Sequence, residues 1–288
     1  MARTFQNQAT LTYGENTVVS NITSGTIEDA VTLSKTALTP TYDRDCPITY
    51  IINLRNDTDT LLGGLTVTDN LGAYTQGAET RYPLTYVPSS TRQYRDGLEV
   101  APPTTAGGPP LVFSDVSVNP GGNTVIIYQA RANAYAPYAQ GSTITNTATL
   151  TGGECISAED SETVTVVSEP IITITKNLCP TSLNRCDAVR YTFTLENYGN
   201  TPLVATDGAI FSDTFTPVLC NLVATFNGTV WTDDVEYTYD EASGLFRTND
   251  TYITVPAATV TQNPDTGEFA IVPGVSTLVV AGNICCCQ

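Results

Sequence analysis

The sequence predicts an all-β protein made of two tandem β-sandwiches, and three observations carry that expectation. Short alternating runs such as TYIINLRND, YTFTLENYGN and SETVTVV recur along the chain, each bounded by Gly, Pro, Asn or Asp. No apolar pattern of helical period and useful length interrupts them. The 288 residues, enough for two ordinary cores, also repeat themselves once.

Taken in order, the repeat starts at VTLSKTALTP (31–40), which matches ITITKNLCP (172–180). TYIINLRND (49–57) then matches RYTFTLENYGN (190–200), and LTVTDNL (65–71) matches AIFSDTF (209–215). VNPGGNTVIIYQARA (118–132) is matched by VPGVSTLVVAGN (272–283). From there the first copy continues into GSTITNTATLTGGECISAEDSETVTVV, which reads as a closing hairpin, while the second copy stops at Gln288. The missing piece stands at the front of the chain. FQNQATLTYG (5–14) matches ITNTATLTGG (144–153) and leads into a second strand, ENTVVSNITSGTI.

The expected organisation is therefore a donor segment over residues 1–30, a first sandwich over 31–168, and an incomplete second sandwich with a cysteine-rich tail over 169–288. A sandwich without its last strands presents an apolar slot and unpaired backbone groups, and such an edge recruits a strand. The N-terminal hairpin can fill the slot of its own chain or that of a neighbour. The short link to Val31, and the need to reach past the whole first domain, favour the neighbour. That contact is head-to-tail and propagates as a filament. The plainer alternative is an extra hairpin belonging to the first domain.

The chain contains two lysines, Lys35 and Lys176, at the same position of the two repeats; its other cations are arginines. A desolvated lysine can lose its proton and become a nucleophile. The matched partners are Asn146 and, by the repeat, Asn7; the matched acids are Asp69 and Asp213. Lys, Asn and an acid together suggest a spontaneous isopeptide bond, in which the amine attacks the side-chain amide, the acid polarises the carbonyl and shuttles protons, and ammonia leaves. Lys35, Asn146 and Asp69 would act within one chain. Lys176 and Asp213 would act on Asn7 of the next subunit. The alternative is a structural Lys–Asp ion pair with an Asn that bonds backbone groups.

Composition bounds the remaining classes. Twelve basic against 29 acidic residues give a net charge of −17, which excludes a nucleic-acid partner. No apolar run is long enough to span a membrane. The start, MARTFQNQ, lacks the cationic and apolar regions of a secretory signal. Histidine is absent and no cysteine sits in a CxxC pair, so neither a metal site nor a cofactor is expected. No nucleophile motif, phosphate loop or carboxylate pair supports an enzyme acting on an external substrate, and DTGE (265–268) reads as a hairpin turn. A monomeric adhesin, binding sugar or protein through the Tyr-bearing stretch 74–100, is the rival to a fibre subunit.

The strand–Lys–Thr, YxIxLxN, TVTD and NxAT series resembles the bacterial surface repeat domain known as family eleven of the domains of unknown function. Two copies would cover nearly the whole chain. The resemblance implies immunoglobulin-like sandwiches and a surface location. Without a signal or wall anchor, the sequence is similar to the two-repeat ribbon-appendage proteins of clostridial spores, which implies a spore-surface homopolymer, with other spore or surface proteins as further partners. In that setting Cys179 and Cys186 flank one loop and could pair. Cys285, Cys286 and Cys287, being adjacent, are better placed to reach other chains than each other; a soft-metal-binding tail is the alternative.

Overall fold

A computed structural model of the chain describes residues 3–27, 31–153, 156–182, 184 and 186–285. Apart from a single 3-10 turn at Ala205–Asp207, the regular structure among these residues is all β. The chain divides into two compact units, Met1–Ala136 with Thr143–Thr165 and Pro137–Ser142 with Val166–Gln288.

The N-terminal segment folds as a long hairpin. Strand β1 (Arg3–Asn7) pairs antiparallel with β4 (Thr23–Ile27), and β2 (Thr10–Tyr13) with β3 (Asn16–Val19). Gly14, at φ 58°, makes the tight turn between β2 and β3 without a Cβ clash. Where the ladder is interrupted, the Ala9 N–H donates to Ser20 Oγ at 2.9 Å. Among the described residues no strand of either unit joins these ladders. The apolar side chains of the hairpin stay in solvent: Phe5, Leu11, Tyr13, Val18, Val19 and Ile22 are all about half exposed or more.

The first unit is a β-sandwich. One sheet has the order β13 (Leu98–Val100), β12 (Arg92–Arg95), β16 (Asn123–Ala132), β7 (Ile48–Asn56), β5 (Val31–Ala37), with β11 (Leu84–Tyr86) also on β16. The other has the order β14 (Thr104–Ala106), β15 (Leu111–Val118), β8 (Leu62–Asp69), β17 (Thr143–Gly152), β18 (Ile156–Val166), β6 (Thr41–Tyr42). The hairpin β9 (Tyr74–Gln76) and β10 (Glu79–Arg81) completes the unit. Strict alternation sends Tyr50, Ile52 and Leu54 of β7, Val67 of β8, Ile126 and Tyr128 of β16 and Leu150 of β17 into one core.

The second unit builds its first sheet in the same way: β19 (Ile172–Cys179), β20 (Ala188–Asn197), β28 (Gly274–Ile284), β22 (Leu219–Phe226), β23 (Thr229–Val230). Its second sheet has three strands: β21 (Ser212–Thr214), β25 (Leu245–Thr248), β24 (Tyr237–Asp240). A further hairpin, β26 (Thr259–Gln262) and β27 (Phe269–Val272), precedes β28. Its turn contains Asp265–Glu268, where Asn263 Oδ1 accepts from the N–H groups of Asp265 and Thr266.

The repeat is visible at single residues. The Asn that ends YxIxLxN is buried in both copies and does the same work. Asn56 donates to the carbonyls of Thr60 (2.7 Å), Val118 and Asn119. Asn197 donates to the Thr201 carbonyl at 2.8 Å and accepts from Gly199 and Ile171 N–H. Each closes the turn after its strand, where buried backbone groups would otherwise lack partners.

The two second sheets differ at one edge. In the first unit β8 lies between β15 and β17, with Ala148 opposite Asp69 and Leu150 opposite Val67. In the second unit β21 pairs with β25 on one side, and no described strand occupies the place of β17 or β18.

Candidate functional site

Lys35 sits on β5 at a position that alternation turns inward, after Val31 and Leu33. Its ammonium donates to Asp69 Oδ2, and neither side chain reaches solvent. The Nζ also lies 5.0 Å from the centre of the Tyr50 ring and 5.9 Å from that of Tyr128. Desolvation holds the Lys35 pKa below its ordinary 10.5, against the opposing pull of the Asp69 carboxylate. Burial thus moves this amine toward the neutral, nucleophilic form.

Asn146, on β17, is fully buried in the same cluster. Its Nδ2 donates to the Tyr128 hydroxyl at 3.1 Å, and that hydroxyl donates to Asp69 Oδ2. Its Oδ1 accepts from the Gly72 N–H at 3.2 Å, and Asp69 Oδ1 accepts from the Leu71 N–H at 2.9 Å. A continuous chain of contacts therefore runs Lys35, Asp69, Tyr128, Asn146. The sequence pointed to the first, second and fourth members. Asp69 reaches the amide through Tyr128 rather than directly, and the carbonyl is held by backbone. A tyrosine in TVIIYQ reads as ordinary strand stuffing; the signal for Tyr128 is its inward register directly opposite Tyr50.

Chemically the cluster has the parts an amide exchange needs. Attack of the neutral Lys35 amine on the Asn146 side-chain carbon would place negative charge on Oδ1, where the Gly72 N–H already points. Asp69 stands where it can take the ammonium proton, and Tyr128 where it can deliver one to the departing nitrogen. Lys35 N–H of the backbone also donates to Asp160 Oδ2 of β18 at 2.8 Å, tying the first strand to the last hairpin.

The second unit repeats half of this site in the open. Lys176 donates to Asp213 Oδ2, with 44% of the lysine side chain and 20% of the aspartate side chain exposed. Its Nζ lies 4.8 Å from the Tyr191 ring centre, 5.4 Å from Phe193 and 5.5 Å from Phe215. Tyr191 faces Val280 across the ladder where Tyr50 faces Tyr128, so the hydroxyl has no counterpart here. Strand β19 is exposed at nearly every position, and Ile172 and Ile174 lie bare where Val31 and Leu33 are covered. The groove above them, about 460 Å³, is lined by Ile174, Lys176, Phe193, Ile210, Phe211 and Asp213. Asn7 ends β1 on the exposed N-terminal hairpin, opposite Thr23 of β4, at the place in the sequence repeat where the first copy has Asn146.

The cysteine expectations need correction. Cys179 does not pair with Cys186. It ends β19 opposite Arg190 and is a free, exposed thiol, whereas Cys186 lies beyond the ladder in the connecting loop and is disulfide-bonded elsewhere. Cys285 does not reach another chain. It bonds Cys220 of its own chain, with the Cα atoms 5.2 Å apart, because β22 and β28 run side by side with Leu219 opposite Ile284. Cys286 and Cys287 lie outside the described residues. Cys220 escaped sequence reasoning because 65 residues separate it from Cys285. The stretch 74–100 forms short strands beside a cleft of about 340 Å³ that includes Arg81, Tyr82, Tyr86 and Tyr135.

No protein-family model matches the chain, and no curated protein matches it. Solved structures with a related course of chain include a variant of BcpA, the major pilin subunit of Bacillus cereus, at 13% identity and TM-score 0.38, over 93% of this chain and 73% of that one. They also include a fragment of the major pilin GBS80 of Streptococcus agalactiae, at 12% identity and TM-score 0.37, over 85% and 91%. The pilus backbone RrgB of Streptococcus pneumoniae is matched at 10% identity and TM-score 0.34, over 84% of this chain, which spans 55% of that one.

Proposed function

We propose that the protein is the structural subunit of an extracellular or spore-surface fibre. The N-terminal hairpin of one copy completes the second unit of the next, and Lys–Asn bonds then seal the assembly. One observation carries the reading: the same repeat positions are buried in the first unit and exposed in the second, while among the described residues a hairpin bearing the matching sequence pairs only with itself. Laid on β17 by the repeat, Phe5, Asn7, Ala9 and Leu11 take the inward places of Ile144, Asn146, Ala148 and Leu150. Ala9 then stands opposite Asp213, and Asn7 takes, in the Lys176–Asp213 site, the place that Asn146 has in the cluster of Lys35, Asp69 and Tyr128.

The energetics favour insertion. Each large aliphatic or aromatic side chain removed from water contributes about 1.5–3 kcal/mol. Ile172, Ile174, Phe5 and Leu11 are each about half exposed, so covering them is worth on the order of 5 kcal/mol, before the entropy of association is subtracted. The backbone groups on the free edge of β21 gain partners as well. In the first unit the bond formed would be Lys35 Nζ to Asn146 Cγ, with the amide nitrogen leaving as ammonia. Across the fibre it would be Lys176 to Asn7, supported by Asp213. The protein would then act as material rather than as a catalyst.

Electron microscopy of the purified protein tests the assembly. Filaments are expected from the full chain, and none from a chain lacking residues 1–27. Filaments from the shortened chain would overturn hairpin exchange. Boiling in detergent with reductant tests the seal: ladders that persist in the parent and vanish in Asn7→Ala and Lys176→Arg support the covalent bond. Intact mass after reduction would register one ammonia lost per bond.

A further inference from the structure

Hairpin exchange needs a rule of address. The N-terminal hairpin matches the closing hairpin of the first unit, yet the reading above sends it to the second unit of another copy. We propose that Tyr13 and Ala209 form the pair that sets this address, by a large-for-small exchange against Gly152 and Leu65; the inference rests on hairpin exchange and adds its selectivity.

In the first unit, Thr151 of β17 stands opposite Thr66 of β8, so the next pair along is Gly152 and Leu65. Leu65 is fully buried and fills the space above Gly152. A Cβ placed on Gly152 would lie 2.5 Å from Leu65 Cδ2 and 3.4 Å from Leu65 Cα. A side chain at this position would force Leu65 Cδ2 to move inside a packed core, so the pair favours glycine and disfavours a bulky residue such as tyrosine.

The hairpin and its acceptor reverse both members. By the repeat, Gly152 corresponds to Tyr13 and Leu65 to Ala209. Tyr13 is largely exposed in the free hairpin, and Ala209 is partly buried at the margin of the second core. A leucine cut back to alanine leaves the room that the tyrosine ring would occupy. The same ring directed at the first unit would meet Leu65. The N-terminal hairpin thus fits the second unit and clashes with the first, while the glycine of the closing hairpin would leave a gap over Ala209; the address is set by exclusion on one side and by lost contact on the other.

The pair also sets register. Sliding a strand by one residue turns its inward set outward, and sliding by two would carry Tyr13 off Ala209 onto a neighbouring side chain. With Tyr13 over Ala209, Ala9 lies opposite Asp213 and Asn7 is delivered to Lys176. The address and the alignment of the cross-link would then be one contact.

The test uses the full chain in four forms: parent, Ala209→Leu, Tyr13→Gly and the double variant, with filament growth followed by sedimentation and near-ultraviolet circular dichroism as the check of folding. Overpacking the acceptor should slow growth of Ala209→Leu by roughly tenfold or more. The double variant, which recreates the Gly–Leu combination of the first unit, should recover most of that loss. Tyr13→Gly alone should also grow more slowly, because its ring leaves a gap over Ala209. Parental growth of Ala209→Leu, or a double variant no better than it, would overturn the pairing. If Ala209→Leu loses its fold, Tyr13→Gly decides alone, and parental growth there overturns it too. The chain lacking residues 1–27 separates the two levels. If it still forms filaments, hairpin exchange itself fails; if it does not while Ala209→Leu grows normally, only the Tyr13–Ala209 address fails.

Discussion

Lys176 holds Asp213 with 44% of its side chain open to solvent, whereas Lys35, at the same place in the first repeat, holds Asp69 with none. The difference comes from β17 and β18, which cover the first site and have no counterpart among the described strands over the second. Reactivity toward an amine-directed acylating reagent should follow that exposure. In subunits held apart at low concentration, Lys176 should label readily and Lys35 should not. After polymerisation Lys176 should be protected as well. Peptide mapping reads both lysines in one digest, and equal labelling of the two in the free subunit would contradict the burial difference.

Removing Asp69 should be costly in a background where no covalent bond can form. In Asn146→Ala, the further change Asp69→Ala would leave the Lys35 charge buried without its partner, which typically costs about 3–5 kcal/mol. The same change at the partly exposed second site, Asp213→Ala, should cost about 1 kcal/mol or less. Chemical denaturation of the single and double variants measures both. A similar cost at the two sites would mean that enclosure by the closing hairpin does not matter.

Stability should also depend on pH through Lys35. Its folded pKa lies below 10.5 because burial disfavours the ammonium. Between the lowered value and 10.5 the unfolded chain binds the more protons, so raising pH through that window stabilises the folded state. The penalty is complete below the lowered value and gone above 10.5. The melting temperature of Asn146→Ala should therefore gain on that of Asn146→Ala/Lys35→Met as pH rises from about 7 to about 10. A gap that closes in the opposite direction would place the folded pKa above the ordinary one.

Tyr128 is the member of the cluster with a proton to give and a lone pair to accept with. Tyr128→Phe keeps the ring packed between Tyr50 and Phe113 and removes only the hydroxyl. Asn146 Nδ2 then loses its acceptor, which costs about 1–3 kcal/mol for a buried polar group. If the hydroxyl also feeds the departing nitrogen, ammonia loss on refolding should slow while the fold persists. Mass spectra taken during refolding separate these effects. Unchanged kinetics with lowered stability would confine Tyr128 to packing.

Much of this site was legible because a repeat reports position twice. Lys35 and Lys176, Asp69 and Asp213, and the turn-closing Asn56 and Asn197 fall into register from sequence alone, since period-2 alternation fixes which side chains share a face. The self-paired state of the hairpin from Arg3 to Ile27 was less readable, because pairing partners depend on what else is present. Tyr128 was missed for a different reason. Its hydroxyl matters only once β16 lies beside β7 and across from β8, and a strand pattern does not say which inward aromatic carries a polar duty. Cysteine connectivity failed most, since Cys179 and Cys186 are close in sequence while Cys220 and Cys285 are close in space.

The bond between Cys220 and Cys285 leads to the last prediction. It closes a loop of 65 residues spanning about half of the second unit, including β24 and β25. In the chain-entropy account a loop of that length stabilises by about 4 kcal/mol. On the proposed reading the second sandwich awaits strands from another copy and lacks the burial they would supply, so this constraint would fall where the unit needs it. Cys285→Ser should lower the unfolding transition of the second unit in the free subunit and leave that of the first unit in place. Insertion of a hairpin from another copy should recover part of the loss, because the inserted strands add the missing burial. Calorimetry of the parent and the variant, each before and after polymerisation, tests this. A variant whose second transition stays at the parental temperature in the free subunit would show that the second core is held without the disulfide.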